Sequence, residues 1–268
     1  MTHRPLFFLT NDDGIQSPGL RAAARAVRDL GDVLVVAPAT QQTAMGRSFT
    51  GRPDAALEAV PFEVDGHALR AYACEGSPAS VVRHGLSVLC RDRLPDLLVS
   101  GINYGENVGV SIGASGTVGA AMEAASRGIP ALAASQQMHP DHFMRHEAQD
   151  WRASEHFLRL FAGKLVRARL PFDVDLVKLD VPEDATPDTP WRLSRLSRQR
   201  YFEMVLDQPR LDSRLQDGRI TVQVDHDTLE PDSDVHALVR ERVVAITPLS
   251  LDATSRADFG AIREALEG

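Results

Sequence analysis

LFFLTNDDGIQSPG, residues 6–19, decides the architecture. Its first four residues form a short continuous apolar run bounded by polar ones, which predicts a strand buried on both faces. Immediately after the apolar run, Asn11, Asp12 and Asp13 stand side by side, and Gly14 follows. Beyond them Leu20, Ala23, Ala24, Val27 and Leu30 recur at helical spacing, with Gly31 as a stop. VLVVAP (33–38) is a second buried strand. Strand, helix and strand within about 35 residues make a βαβ unit with parallel strands and a right-handed crossover.

The pattern continues along the chain. Ser77-Pro78 is a helix start, with Ser at the cap and Pro at the first helical position, and Val82, Leu86 and Leu89 give one apolar face. DLLVS (96–100), PALAAS (130–135) and DLVKLDVP (175–182) read as strands. GTVGAAMEAASRG (116–128) and residues 151–168 read as helices, the latter with Trp151, Leu158, Phe161 and Leu165 on one stripe. This alternation predicts a doubly wound, mainly parallel α/β sheet. From Pro182 to Pro190 the composition shifts to Pro, Asp and Thr. That stretch divides an α/β core, residues 1–190, from residues 191–268. Past it, residues 200–206 and 219–225 predict a long hairpin, VVAITP (243–248) a returning buried strand, and Phe259, Ile262 and Leu266 a short amphipathic helix.

Composition is that of an ordinary globular chain: 268 residues, 43% hydrophobic, 25% charged, net charge -8. The absence of a basic stripe argues against a nucleic-acid polymer as partner. No apolar run is long enough to span a membrane. Two cysteines, Cys74 and Cys90, form neither a disulfide framework nor a CxxC pair and read as reduced core thiols, so the expected location is the cytoplasm. MTHRPLFFLT does not read as a signal peptide, because its apolar run is short and leads into Asn11 and two aspartates.

Three polar loops follow strand ends, where open α/β sheets bind ligands. The first holds Asp12 and Asp13. Adjacent carboxylates repel unless a cation or a shared proton sits on them, and Mg²⁺ or Mn²⁺ suits such oxygen ligands. Asn-Asp-Asp-Gly is also good turn chemistry. The second, SGINYGENVGVSIGASGTVGAA (100–121), has five glycines before a helix starting near Thr117. Glycines let backbone N–H groups approach an anion, and a helix N-terminus favours phosphate. Asn103 offers a neutral oxygen, and Ser115 and Thr117 offer hydroxyls. Neither a Walker loop nor GxGxxG is present, and a flexible glycine-rich loop is the alternative. The third, QQTAMGRSFTG (41–51), carries Thr43, Arg47 and Ser48. Together they point to metal-assisted attack of water on a phosphoester.

LTNDDGIQSPG, SGINYGENVG, ASGTVGAAMEA and VVAITPLSLDAT resemble the SurE family, the survival-protein-E 5'/3'-nucleotidases. The resemblance runs in order over nearly the whole chain. It implies a three-layer α/β/α sandwich with a Rossmann-like sheet and a projecting C-terminal hairpin arm. It implies hydrolysis of nucleoside 5'- and 3'-monophosphates with one divalent metal ion, Mg²⁺ or Mn²⁺, per subunit. It also implies a homodimer or homotetramer assembled through the C-terminal segment. On this resemblance Asp12 and Asp13 are the catalytic pair, and Asp12, Asp13, Thr43 and Asn103 hold the metal. Asn11, Ser48, Asn107, Ser115, Gly116 and Thr117 face the substrate. Five positions depart from the family pattern. Thr43 replaces a serine, Ala114 a Tyr or His, Tyr104 a frequently basic residue, and Lys178 and Asp180 the two asparagines of LNxNVP. A SurE-like protein that binds nucleotide with weak or altered turnover is the alternative these departures keep open.

Other signals carry less. A phosphorelay receiver domain also pairs acids after its first strand, but LLVSGIN lacks the phosphoryl-accepting Asp it needs. His139, His142 and His146 in HPDHFMRH read as a solvated loop rather than a metal site. DHDTLEPDSD (225–234) fails as a calcium loop because Glu230 stands where glycine is needed. WRLSRLSRQR (191–200) is locally basic; a solvated strand edge is the preferred reading over reach to a substrate phosphate of its own or a neighbouring subunit.

Overall fold

The computed structural model describes residues 4–140 and 148–268. His142 and His146 of the histidine-rich loop lie outside the described residues; His139 is within them. In chain order the strands and helices are β1 (Leu6–Thr10), α1 (Pro18–Val27), β2 (Asp32–Pro38), β3 (Glu58–Ala59), β4 (Glu63–Val64), β5 (His67–Ala68) and β6 (Arg70–Cys74). There follow α2 (Pro78–Leu89), β7 (Leu97–Tyr104), α3 (Gly116–Ala125), β8 (Ala131–Gln136), α4 (Arg152–Leu165) and β9 (Leu176–Val181). The remainder holds β10 (Trp191–Leu193), β11 (Phe202–Val205), β12 (Arg219–Val222), α5 (Asp234–His236), β13 (Val244–Leu249) and α6 (Phe259–Glu267).

Nine strands make one sheet in the order β10-β13-β9-β8-β7-β1-β2-β6-β3. From β9 to β6 neighbouring strands pair in parallel, and β13 and β3 join antiparallel. Alternate residues of each central strand enter opposite layers, as a pleat requires. Phe7, Leu9 and Val99 pack under α1 and α4, whereas Phe8, Leu34 and Leu98 pack under α2 and α3. The result is the α/β/α sandwich. The chain builds outward from β1 through β2 to β6, then crosses back to place β7 on the other side of β1. β1 and β7 thus flank the point where strand order reverses, and the crevice at their carboxyl ends is the favoured ligand site of such sheets.

Strand β6 and the short β3 to β5 are additions to the elements read from sequence. β3 to β5 have two residues each, and β6, RAYAC, buries only small side chains between an exposed Arg70 and a half-exposed Tyr72, so no run of large apolar residues marks them. The hairpin is present but short. β11 and β12 pair antiparallel over four residues each, and Met204, Ile220 and Val222 stay substantially exposed. A small separate core of Val108, Tyr201, Val235 and Leu238 ties the root of this arm to the loop after β7. Cys74 and Cys90 are buried and free. Among the described residues no helix is long and apolar enough to cross a membrane.

Candidate active site

The register of β1 and β7 places Thr10 opposite Ser100, so the two motifs leave the sheet side by side although 90 residues separate them. Between Ser100 and Asn103 the β7–β8 register shifts through a bulge. Gly101 makes it possible: its φ is +121°, and a Cβ there would lie 2.1 Å from the Ala134 carbonyl oxygen. The bulge re-aims the strand so that Asn103 reaches the crevice.

A cavity of about 440 Å³ opens there. Asp12, Asp13, Thr43, Asn103, Asn107 and Ser115 line it, as do Tyr104, Glu106, Val110 and Ser111 from the loop after β7. The arm closes its far side with Arg200, Phe202 and Ile220. A larger hollow, about 680 Å³, lies at the amino ends of the strands among Arg4, Asp32 and Arg93. Its aspartates are exposed, Asp32 pairing with Arg4 and Asp29 with Arg28, and it is at the wrong end of the sheet for this class of fold.

Asp12 is 5% and Asp13 3% exposed. The Thr117 hydroxyl donates to Asp12 Oδ1. Asp13 accepts from the Tyr104 backbone N–H at 3.3 Å and from Gln41 Nε2 at 3.2 Å. Burial raises the pKa of Asp12, against hydrogen bonds from the Thr117 hydroxyl and neighbouring backbone amides. Burial raises Asp13 further, and the charge of Asp12 adds to it. Among the described residues no Lys, Arg or His forms an ion pair with either carboxylate. Such a pair calls for positive charge, and a bound cation would reverse both shifts. The donors at hand are two carboxylates, the Asn103 amide oxygen and the Thr43 hydroxyl, a hard all-oxygen set that fits Mg²⁺ or Mn²⁺. Asn103 Nδ2 donates to the carbonyls of Gly105 (2.7 Å) and Tyr104 (3.3 Å), which leaves its oxygen for a ligand. Among the described residues no cluster of three or more His, Cys, Asp or Glu side chains could hold a metal, so an ion here would rest on neutral oxygens and water besides the pair.

The remaining sequence-derived residues sit around this centre. Ser115 caps α3, accepting from the Val118 N–H at 3.1 Å. Gly116 lies against Asp12: a Cβ there would come within 2.8 Å of its Cβ and Oδ2. Thr117 is fully buried and reaches the site through the Asp12 carboxylate. Asn11 is buried, donates to the Gly14 carbonyl at 3.0 Å, and keeps its Oδ1 without a hydrogen-bond partner. The Ser48 hydroxyl is likewise buried without a partner. None of Asn11, Ser48, Gly116 and Thr117 lines the cavity. Arg47 turns away to Glu123 on α3 at 3.0 Å. Tyr104 packs edge-on against Trp151, ring centres 5.0 Å apart, and burial, with Asp13 nearby, lifts its pKa to about 12. That position therefore presents no cation to the cavity. Sequence reasoning did not single out Glu106, Val110, Phe202 and Ile220. Phe202 and Ile220 carried only a hairpin signal, and Glu106 stood inside the glycine-rich loop.

The family model described as Survival protein SurE matches residues 7–203. The chain belongs to the SurE family. A protein named 5'-nucleotidase SurE from Methanocella arvoryzae is 41% identical over 263 residues, covering 95% of this chain and 94% of its own length. A 5'-nucleotidase SurE from Thermococcus gammatolerans is 40% identical over 262 residues, with 97% and 95% covered. The crystal structure of the SurE protein from Aquifex aeolicus superposes with a TM-score of 0.76 at 28% identity, covering 98% of this chain and all of that one. The SurE likeness thus extends through both motif loops, the arm and the returning strand β13.

Proposed function

We propose that this protein is a divalent-metal-dependent phosphatase of nucleoside 5'- and 3'-monophosphates, acting in the cytoplasm. The observation that carries the reading is the buried pair Asp12 and Asp13, without a cationic partner among the described residues, at the wall of a cavity with two chemical ends. One side is polar, with Thr43, Asn103, Asn107 and Ser115; the arm side is mainly apolar, with Val110, Phe202 and Ile220, and also carries Arg200. Phosphate belongs at the first and nucleoside at the second. The names of the SurE relatives agree with this substrate class.

Asp12, Asp13, Thr43 and Asn103 would hold one Mg²⁺ or Mn²⁺ ion. When bound, such an ion polarises the phosphate and lowers the pKa of water. The chain's own residues do the rest. Thr117 fixes the Asp12 carboxylate, and Gln41 with the Tyr104 amide fixes Asp13. One carboxylate of the pair accepts the proton released as water attacks phosphorus, the bond from phosphorus to the nucleoside oxygen breaks, and the leaving oxygen takes up a proton to give nucleoside and phosphate. Ser115 and Asn107 orient the phosphate, and the apolar end excludes water from the nucleoside side. The reading includes a homodimer or homotetramer, because the arm exposes Met204, Leu211, Leu215 and Val222, and no residue of α6 is buried. Phosphate release from a panel of nucleoside 5'- and 3'-monophosphates, with Mg²⁺ or Mn²⁺ and with chelator, tests the activity. Release that is absent with both ions, or undiminished by chelator, would refute it.

A further inference from the structure

Behind the cavity lies a cluster of buried charge that the proposed chemistry does not use. Lys178 and Asp180 are two residues apart on β9, on one face of the sheet, and neither has solvent exposure. The Lys178 ammonium pairs with Asp180 Oδ2 and, at 3.1 Å, with Asp234 Oδ2 at the start of α5. Asp234 is also fully buried. Burial works against the ammonium, but the two carboxylates outweigh it and hold the lysine above its ordinary pKa.

The other acceptors of this cluster converge on one loop. Asp180 Oδ1 accepts the Asn107 backbone N–H at 2.8 Å, and Asp234 Oδ2 accepts the Gly109 N–H at 3.1 Å. Asn107 is held a second time, since its Nδ2 donates to Ser135 Oγ at 2.8 Å. Ser135 stands in register with Asp180 on one side and Asn103 on the other. Asp234 Oδ1 accepts the Ser197 N–H at 2.9 Å, where the chain enters the arm. The Val110 N–H donates to the Gln199 carbonyl at 3.2 Å, again on the arm. Asn107, Val110 and Ser111 line the cavity, whereas Lys178, Asp180 and Asp234 do not. The cluster therefore grips both walls of the nucleoside end from outside.

Stability alone is a weak reason for such a cluster, because apolar side chains of similar volume often replace a buried ion pair without loss. An apolar side chain cannot accept the Asn107 amide. We propose that Lys178, Asp180 and Asp234 are positioning residues that fix the loop 105–111 against the arm and so select nucleoside monophosphates over smaller phosphoesters. The substrate half of this proposal rests on the nucleotidase reading above; the strut itself rests on geometry.

Two double variants test it. Lys178→Met with Asp180→Val is neutral and removes the Asn107 acceptor. It leaves Asp234 with three backbone donors, Gly109, Ser197 and Val235. Lys178→Asn with Asp180→Asn is also neutral but keeps an acceptor oxygen at position 180. Hydrogen–deuterium exchange, run without substrate or metal, reads the strut directly. The Asn107 amide should exchange at least about tenfold faster in the first variant and within about threefold of wild type in the second, with β1 and β7 unchanged. In the same comparison kcat/KM for a nucleoside 5'-monophosphate should fall about tenfold, through KM, in the first variant only. For p-nitrophenyl phosphate, which carries no nucleoside, it should fall less than about threefold.

Unchanged exchange at Asn107 in the first variant overturns the strut. Equal losses on both esters overturn the selection role. If the first variant does not fold, the wild-type protein decides: Asn107 and Gly109 amides should exchange with the slow core of β7 and β8, and exchange at the rate of the arm overturns the proposal. A wild-type enzyme that hydrolyses neither ester refutes the nucleotidase reading, and the exchange data then judge the strut by themselves.

Discussion

Replacing Glu106 with glutamine should remove one defined pH dependence from the stability of the fold. Glu106 touches the cavity yet is only 2% exposed. One carboxylate oxygen accepts from the Tyr201 hydroxyl at 2.7 Å and the other from the Met138 N–H at 3.2 Å. Burial is the dominant influence and raises its pKa from 4.5 to about 7; the donors oppose it, and the charge of Asp180 adds a little. The unfolded chain releases this proton near the ordinary value. Between pH 4.5 and 7 the folded state thus holds a proton that the unfolded state has lost. Stability from this residue falls as pH rises through that window and is level above it. At about 1.4 kcal/mol per pH unit, the gap from 4.5 to about 7 amounts to about 3 kcal/mol. Glutamine is isosteric and does not titrate. Its oxygen can accept from Met138 while its amide donates to the Tyr201 oxygen, so both contacts survive. Urea unfolding between pH 4.5 and 8, at fixed ionic strength and in chelator, gives both stability curves. The variant's advantage over wild type should grow by about 3 kcal/mol across the range. Parallel curves would refute burial of an ionisable group at this position.

Asp12→Asn should abolish phosphate release while the metal-free protein melts no lower than wild type, because the repulsion with Asp13 is gone; wild-type turnover in this variant would defeat the ligand assignment. Thr43→Ser keeps the hydroxyl and should stay within about tenfold of wild-type activity, about 1.4 kcal/mol in the barrier. Thr43→Val has no oxygen and should bind Mn²⁺ clearly more weakly than Ser does; equal affinity by calorimetric titration would reduce Thr43 to a loop residue. Gly116→Ala should also weaken Mn²⁺ binding, since the new methyl meets Asp12 at 2.8 Å; unchanged affinity would show that the carboxylate can move freely. Light scattering should report a dimer or larger, and only the 29.2 kDa monomer across micromolar concentrations would count against the exposed arm as an assembly surface.

The parallel core was legible because its strands are buried on both faces and therefore read as unbroken apolar runs, LFFL and VLVVAP above all. Helix ends were legible where Ser-Pro or Gly marks them. β6 was not, since RAYAC leaves Arg70 and part of Tyr72 to solvent and shows no apolar block. The antiparallel direction of β13 leaves no trace in VVAITP, because a central strand looks alike in either sense. At the site, Asp12, Asp13 and Asn103 were legible from adjacency and strand-end position. Glu106, Phe202 and Ile220 were not, because the loop after β7 and the hairpin meet only through the small core around Tyr201. Asp234 sat in a polar stretch that reads as surface, yet it is buried by its pairing with Lys178, more than 50 residues earlier.

The reversal of strand order at β1 also sets a sequence of events during synthesis. The amino-terminal half of the chain can assemble β1, β2 and β6, but β1 is then an edge strand and its carboxyl end faces water. Asp12 and Asp13 are hydrated at that stage and their mutual repulsion is screened. Only when β7 docks beside β1 and α3 follows are Asn103, Thr117 and the walls that dry the pair brought in. No nascent chain that ends before Asn103, on β7, contains all four proposed ligands, and none that ends before α3 contains the Thr117 hydroxyl that fixes Asp12. On the proposed ligand set, a ribosome-bound fragment ending before residue 100 should lack Mn²⁺ affinity, and metal capture would mark the closure of the second half of the sheet.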